Sequence, residues 1–210
     1  MMAQSPLNHR PRPRGFTLIE LLVAITILAF VAVLGWRGLD GIIRSRDKLT
    51  AEMAYTRGLQ LAFAQLQSDT SNLAGTAYLN RRPMIAADNN RITLVRMSML
   101  ENEPTRLLVV SYRVRDDGVL VRRESNPTRD LRELDTLWQA ALGDTDTSAS
   151  VVLQSGVQAM AMRYWADNQW LPANGTAPVS GTGVPTGLEV TLAVQGQEAP
   201  LVKSYLLGEL

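Results

Sequence analysis

The chain has 210 residues, a formal net charge of +1 and no cysteine, so disulfides, thiol nucleophiles and zinc–thiolate centres are excluded. Its single histidine is His9, which leaves the rest of the chain without material for a Ser-His-Asp triad or a histidine-rich zinc site. The positive excess sits in the first fifteen residues, where Arg10, Arg12 and Arg14 meet no acid; without them the balance turns to −2, and a near-neutral body offers no basic face for nucleic acid.

The basic leader runs straight into an apolar stretch from Phe16 to Trp36 whose one charge is Glu20. These residues span about 31 Å as a helix, enough to cross a hydrocarbon core. Trp36 stands where an interfacial aromatic anchor belongs, and the cations before the span keep the N-terminus cytoplasmic while the body crosses. A secretory signal peptide is the competing reading. Its apolar region is shorter, it lacks an early Glu, and it ends in a small-residue cleavage site that is absent here at the expected place. An acid at the centre of such a helix costs roughly 2.5–3.5 kcal/mol, less near an interface, so Glu20 reads as functional. The plain alternative is that Glu20 snorkels to the interface one turn away.

No proline occurs between Pro13 and Pro83, which predicts a nearly continuous helix from about Phe16 to Ala74. Gly35, Gly38, Gly41 and Gly58 weaken it locally, and the cluster just past the span marks a candidate hinge or partly melted turn. Leu49, Met53, Leu59, Phe63, Leu66 and Leu73 follow an imperfect helical spacing that suggests one face laid on a sheet. Strand patterns follow at Arg91–Met97 and Arg106–Val114. Asp116-Asp117-Gly118 then reads as a hairpin turn into Val119–Arg123. The stretch Leu131–Leu142 is ambiguous; a short helix with Trp138 towards the core is the preferred reading. Val151–Leu153, Val157–Trp165, Leu188–Val194 and Leu201–Leu206 complete the strands, with Asp167-Asn168-Gln169 turning the chain so that Trp170 pairs back. Gly143–Ser150 and Ala173–Gly187 read as loops, the second long and exposed. One helix followed by runs of strands predicts an α+β fold with an antiparallel sheet.

Other candidate sites are weaker. Asp144-x-Asp146 and Asp88-Asn89-Asn90 offer oxygen ligands for calcium, but neither continues into the twelve-residue loop of an EF-hand. Tyr164, Trp165 and Trp170 form either a binding platform or core, and core is the commoner use of aromatic residues on a sheet. Arg81-Arg82 and Arg122-Arg123 read as surface cations. No cofactor or metal is expected, and no enzymatic role.

The run Gly15-Phe16-Thr17-Leu18-Ile19-Glu20 resembles the processing site of type IV pilins and type II secretion pseudopilins. The resemblance implies that a prepilin peptidase cuts after Gly15 and methylates the new amine of Phe16. It also implies that Glu20 serves assembly, pairing with the Phe16 amine of a neighbouring subunit. Both charges are costly near the membrane edge, and pairing offsets both. The body is similar to the J-type minor pseudopilins of type II secretion. The matches are Trp36-Arg37-Gly38-Leu39-Asp40, Leu66 to Asp69, then Arg96, Asn102, Pro104, Val110 and Tyr112 with one extra residue between Asn and Pro. Val152–Val157, Met162-Arg163-Tyr164, Trp170-x-Pro172 and Pro185 to Val190 continue the order.

Taken together, the resemblance implies a pilin-like fold: a long N-terminal transmembrane and amphipathic helix packed on antiparallel β-sheet. It divides the chain into a leader removed by the peptidase (1–15), the transmembrane part of the helix (16–36), its periplasmic amphipathic part (37–75) and a β-rich periplasmic domain (76–210). The expected protein is a single-pass subunit of a Gram-negative inner membrane, N-terminus inside, with the domain in the periplasm. Its expected partners are the I- and K-type minor pseudopilins, the major pseudopilin and the peptidase, and its role is the tip complex that starts the pseudopilus. A type IV minor pilin and a membrane-tethered binding or adhesive module remain the alternatives; a carboxylate-based hydrolase would need two carboxylates facing each other across a cleft.

Overall fold

In the computed structural model, residues 15–99, 103–145, 147–177 and 184–207 are described. Arg10, Arg12, Arg14, Asn102 and Asp146 lie outside them. The chain forms two compact units, residues 1–53 and 54–210.

The first unit holds the start of helix α1 (Leu18–Ser71). Thr17 sits just before its first turn, and its hydroxyl accepts a hydrogen bond from the Glu20 N–H at 3.3 Å. That is the cap expected of a Thr-x-x-Glu box, which satisfies one orphan donor of the helix start. Every residue from Leu18 to Leu39 is exposed, including a dense set of Leu, Ile, Val and Phe side chains. The helix passes through Gly35, Gly38 and Gly41 without interruption. The candidate hinge is therefore continuous helix, and each of these glycines has open space where a Cβ would sit. Leu49 and Met53, expected on the packed face, are 59% and 71% exposed.

In the second unit α1 becomes one-sided. Leu59, Ala62, Leu66, Asp69 and Thr70 are buried, at the three-and-four spacing of a helical stripe. The helix ends at Ser71, earlier than the Ala74 expected, because the main chain turns to pair with a strand. The Ala74 N–H donates to the Val95 carbonyl at 2.8 Å, the Met97 N–H donates to the Asn72 carbonyl at 2.8 Å, and Leu73 bridges to Arg96.

The remaining elements are α2 (Thr76–Leu79), β1 (Ile85–Asp88), β2 (Arg91–Ser98), β3 (Arg106–Val114), β4 (Val119–Glu124), α3 (Leu131–Leu142), β5 (Ser150–Ser155), β6 (Val157–Ala166), β7 (Gln169–Pro172), β8 (Gly175–Thr176), β9 (Gly187–Val194) and β10 (Leu201–Leu206). They build a six-stranded sheet in the order β5-β4-β3-β2-β1-β8 and a four-stranded sheet in the order β10-β9-β6-β7. All pairings are antiparallel.

Strand alternation decides which residues meet which helix. Tyr112 pairs with Ile92 on one side and Arg122 on the other, and this face takes the second half of α1. Arg91, Thr93, Ser111 and Arg113 point to the opposite face. There α3 packs, capped by the Asp130 carboxylate on the Arg132 N–H at 2.8 Å, with Leu134, Trp138 and Ala141 buried. The helix reading of this stretch and the inward Trp138 are thus what the structure has.

Turns match their residues. Gly118 takes a φ of +74° in the Asp-Asp-Gly hairpin, and Asp167 and Asn168 take φ values of 50° and 59°, a type I′ pair that returns Trp170 opposite Trp165. The expected loop Ala173–Gly187 needs correcting. Gly175-Thr176 adds a short edge strand to β1, and Ala173 and Ala177 are buried, because the Ala177 N–H is drawn to the Ile85 carbonyl at 3.1 Å.

The two sheets are tied together at Asn90, in the β1–β2 turn. Its N–H donates to the Met160 carbonyl at 2.9 Å, its side-chain Oδ1 accepts from the Met160 N–H at 2.7 Å, and its carbonyl accepts from the Val114 N–H at 2.9 Å. Asn90 therefore acts as a main-chain splice rather than as part of a calcium loop. Among the described residues no cluster of three metal-ligating acids or histidines occurs.

Candidate functional site

Two groups of residues carry the chemistry, one in each unit. At the helix start, Gly15, Phe16 and Thr17 are not helical, and α1 begins at Leu18. The Gly15–Phe16 bond therefore lies outside the helix, just before its first turn. Nothing stands within 4 Å of the place a Gly15 Cβ would occupy, and Phe16 is 84% exposed. Glu20 sits in the first turn, where a carboxylate suits the positive end of the helix dipole. Among the described residues no side chain pairs with its carboxylate. Thr17 holds the turn that presents Glu20, and the Thr-x-x-Glu spacing is its signal in the sequence.

From Leu18 onward the helix is long and apolar enough to cross a bilayer by length and composition. Its exposed apolar surface is continuous, far beyond the scattered side chains a water-facing helix tolerates.

In the second unit, Asp69 of α1 is completely buried and bound on both oxygens. Arg96 of β2 donates to Oδ1 at 2.7 Å, and Arg122 of β4 donates through Nε to Oδ2 at 2.7 Å and through Nη2 to Oδ1 at 3.0 Å. The Tyr112 hydroxyl of β3 also donates to Oδ2. Arg122 reaches on to Glu124 at 2.6 Å and stacks 6.0 Å from the Tyr112 ring centroid. Burial and then Asp69 push the Tyr112 phenol well above its ordinary pKa. Burial is the largest single influence on the Arg122 guanidinium and lowers it, but the hydrogen bond and charge of Asp69, with Glu124 and Tyr112, together outweigh it and the net direction is up. One helix carboxylate thus fixes three adjacent strands. Asp69, Arg96 and Tyr112 are three of the positions by which the body resembles the J-type proteins, and they meet in space.

Arg122 corrects the reading of Arg122-Arg123 as surface cations. Its side chain is 11% exposed, because consecutive strand residues point to opposite faces and helices cover both faces of this sheet. Arg123, on the α3 face, pairs with Asp144 at 3.4 Å. Arg82 makes a bidentate pair with Asp135 at 2.7 and 2.9 Å. Of the late aromatic group, Tyr164 is buried, while Trp165 and Trp170 are half-buried and meet edge to face at 5.3 Å, with Arg163 over Trp170 at 5.7 Å. Of the two calcium candidates, Asp144 pairs with Arg113 and Arg123, its companion Asp146 lying outside the described residues, and Asp88 accepts its neighbour Asn89 N–H at 2.7 Å.

An exposed apolar helix opening at a Gly-Phe junction, with antiparallel sheets packed on its second half, defines a membrane-anchored, pilin-like α+β subunit. The model of the prokaryotic N-terminal methylation motif matches residues 10–36, and the model of type II secretion system protein J matches residues 37–202. The chain belongs to the type II secretion system protein J family, and it is a minor pseudopilin of type II secretion. A curated relative, type II secretion system protein J of Klebsiella pneumoniae, is 27% identical over 198 residues, which cover 88% of this chain and 90% of that protein. The family consists of structural pseudopilins, which work with other pseudopilins of the secretion system.

Proposed function

We propose that this chain is a non-enzymatic structural subunit of the pseudopilus tip, assembled with I- and K-type minor pseudopilins to start a periplasmic filament of the major pseudopilin. The leader 1–15 is removed by prepilin peptidase and the Phe16 amine is methylated. Residues 16–36 cross the inner membrane from a cytoplasmic N-terminus, residues 37–75 continue the helix in the periplasm, and residues 76–210 form the displayed domain. The reading needs no cofactor.

The observation that carries this proposal is the Glu20 carboxylate, held in the first turn of an exposed apolar helix with no partner among the described residues. A lone carboxylate in hydrocarbon is costly, and the cleaved amine of a neighbouring Phe16 is the natural counter-charge. That pair also sets the axial offset between subunits. The test is Glu20→Leu in the full chain, expressed with its secretion partners. Normal membrane insertion and normal cleavage at Gly15, with loss of co-isolation with the other pseudopilins, is expected. Unchanged assembly, or mass spectrometry showing the Gly15–Phe16 bond intact in secreting cells, would overturn it.

A further inference from the structure

On the face of the six-stranded sheet that carries α3, β2 places Arg91 and Thr93 on one side of the strand. Arg91 stands directly opposite Arg113 of β3. Like charges opposed in this way repel, and the two are treated differently. Arg113 is neutralised by Asp144. Arg91 has no carboxylate partner among the described residues; its Nη1 donates to the Leu142 carbonyl at the end of α3, and its Nε is buried with no hydrogen-bond partner. Thr93 is 0% exposed, and its hydroxyl is likewise buried and unpartnered. Buried donors are normally paired, so two orphans on adjacent same-face positions call for a ligand.

Both residues line one cavity of about 210 Å³, walled by Asp88, Leu142, Gly175 and Thr176. One water takes about 30 Å³ of liquid volume, so the space accommodates a polyatomic group. An uncompensated guanidinium with a free N–H, beside a free hydroxyl, is the donor set of an anion site. The carboxylates of Asp88 at the rim and Asp144 beyond Arg91 would repel a dianion. We propose that the Arg91–Thr93 cavity binds a single carboxylate group, supplied either by an acidic residue of a partner subunit or by a small organic acid.

The probe is acetate, titrated into the ¹⁵N-labelled full chain in detergent micelles while the Arg91 Nε–H resonance is followed, with chloride and phosphate at matched ionic strength as controls. Acetate should give a saturable shift that chloride and phosphate do not give. Arg91→Gln, which lacks the Nε–H and is therefore followed at the Thr93 backbone amide, should show no acetate binding, and the near-isosteric Thr93→Val should weaken binding about tenfold, as expected for one lost hydrogen bond to a charged group. No saturable shift, the same midpoint for chloride, or an unchanged midpoint in Thr93→Val would overturn the site. Secretion by cells carrying the two variants separates the sources. Lost secretion with an unchanged thermal midpoint assigns the carboxylate to a partner subunit, and intact secretion with lost acetate binding assigns it to a small acid. The titration is independent of the secretion role, so failure of one reading leaves the other standing.

Discussion

Asp69 and Arg122 lie 53 residues apart in the chain and share two hydrogen bonds, at 2.7 and 3.0 Å, beneath the centre of the larger sheet. The carboxylate has no access to solvent and the guanidinium has little. Such a pair is weak evidence for net stability, since both ions lost their water to form it. Removing one partner is a different matter, because it strands the other. Asp69→Ala is therefore expected to destabilise the domain by about 3–5 kcal/mol, read by urea unfolding. A double-mutant cycle with Arg122→Ala should show strong coupling. A loss below about 1 kcal/mol would mean that the arginines find water in the folded state, and the clamp would not exist.

The tyrosine in the same cluster makes alkaline stability the second measurable property. Burial and the Asp69 charge hold the Tyr112 phenol protonated, and burial does the same for Tyr164 and Tyr205. An unfolded tyrosine releases its proton near pH 10. These raised groups therefore stabilise the fold fully below about pH 10. Their contribution drains away as pH rises towards the higher folded values, because the unfolded chain then ionises first. Each such tyrosine should cost up to about 1.4 kcal/mol per pH unit above pH 10. Tyr112→Phe should start less stable, having lost a hydrogen bond, yet show a shallower fall between pH 10 and 11. Parallel wild-type and variant slopes would show that Tyr112 titrates freely in the native state.

At Gly58, β5 comes close to α1. A Cβ there would collide with the Gln154 side-chain amide and lie 3.6 Å from the Leu153 carbonyl. Gln154 is buried, so its amide has little room to withdraw. Helix propensity alone favours Ala over Gly by about 1 kcal/mol. The collision should reverse that sign, making Gly58→Ala destabilising in thermal unfolding. Gly58→Ala with Gln154→Ala should recover the propensity gain relative to Gln154→Ala alone. A single Gly58→Ala that stabilises the protein would show that the strand simply moves away.

Local patterns in the sequence carried the elements that rest on local physics. Arg106–Val114, rich in β-branched residues, and the amphipathic Leu131–Leu142 are strand and helix over the ranges expected. The Asp-Asp-Gly and Asp-Asn turns fall where turn residues cluster. What escaped was set by distant partners. The strand Ile85–Asp88 is half alanine and has little strand propensity of its own; pairing with β2 and β8 makes it. Leu49 and Met53 have the right character and spacing for the packed face, yet in the structure they are exposed. The burial of Asp69 is invisible without knowing that β2, β3 and β4 lie under it. Arg122-Arg123 did hold a usable clue, since neighbours on a strand cannot both face the same side. At the other end of the chain, Glu20 is legible because a charge in an apolar span is conspicuous, and the Thr-x-x-Glu spacing marks its capping threonine.

Asn90 joins the sheets through its side chain and its backbone at once, and the two contributions can be separated. Its φ is 63°, a left-handed conformation in which asparagine is tolerated and alanine is strained. Its Oδ1 also replaces a strand neighbour for the Met160 N–H. Asn90→Gly keeps the backbone conformation and loses the side-chain bond, leaving a half-buried N–H unpaired at about 1–3 kcal/mol. Asn90→Ala loses the same bond and adds the strain of a Cβ at positive φ, roughly 1 kcal/mol more. Amide hydrogen exchange at Met160 should accelerate in both variants, while Asn90→Ala should unfold at the lower urea concentration. If alanine proves no worse than glycine, the left-handed turn is not a constraint. If Met160 stays protected in both, water or another group caps it and the splice between the sheets is carried by the backbone of residue 90 alone.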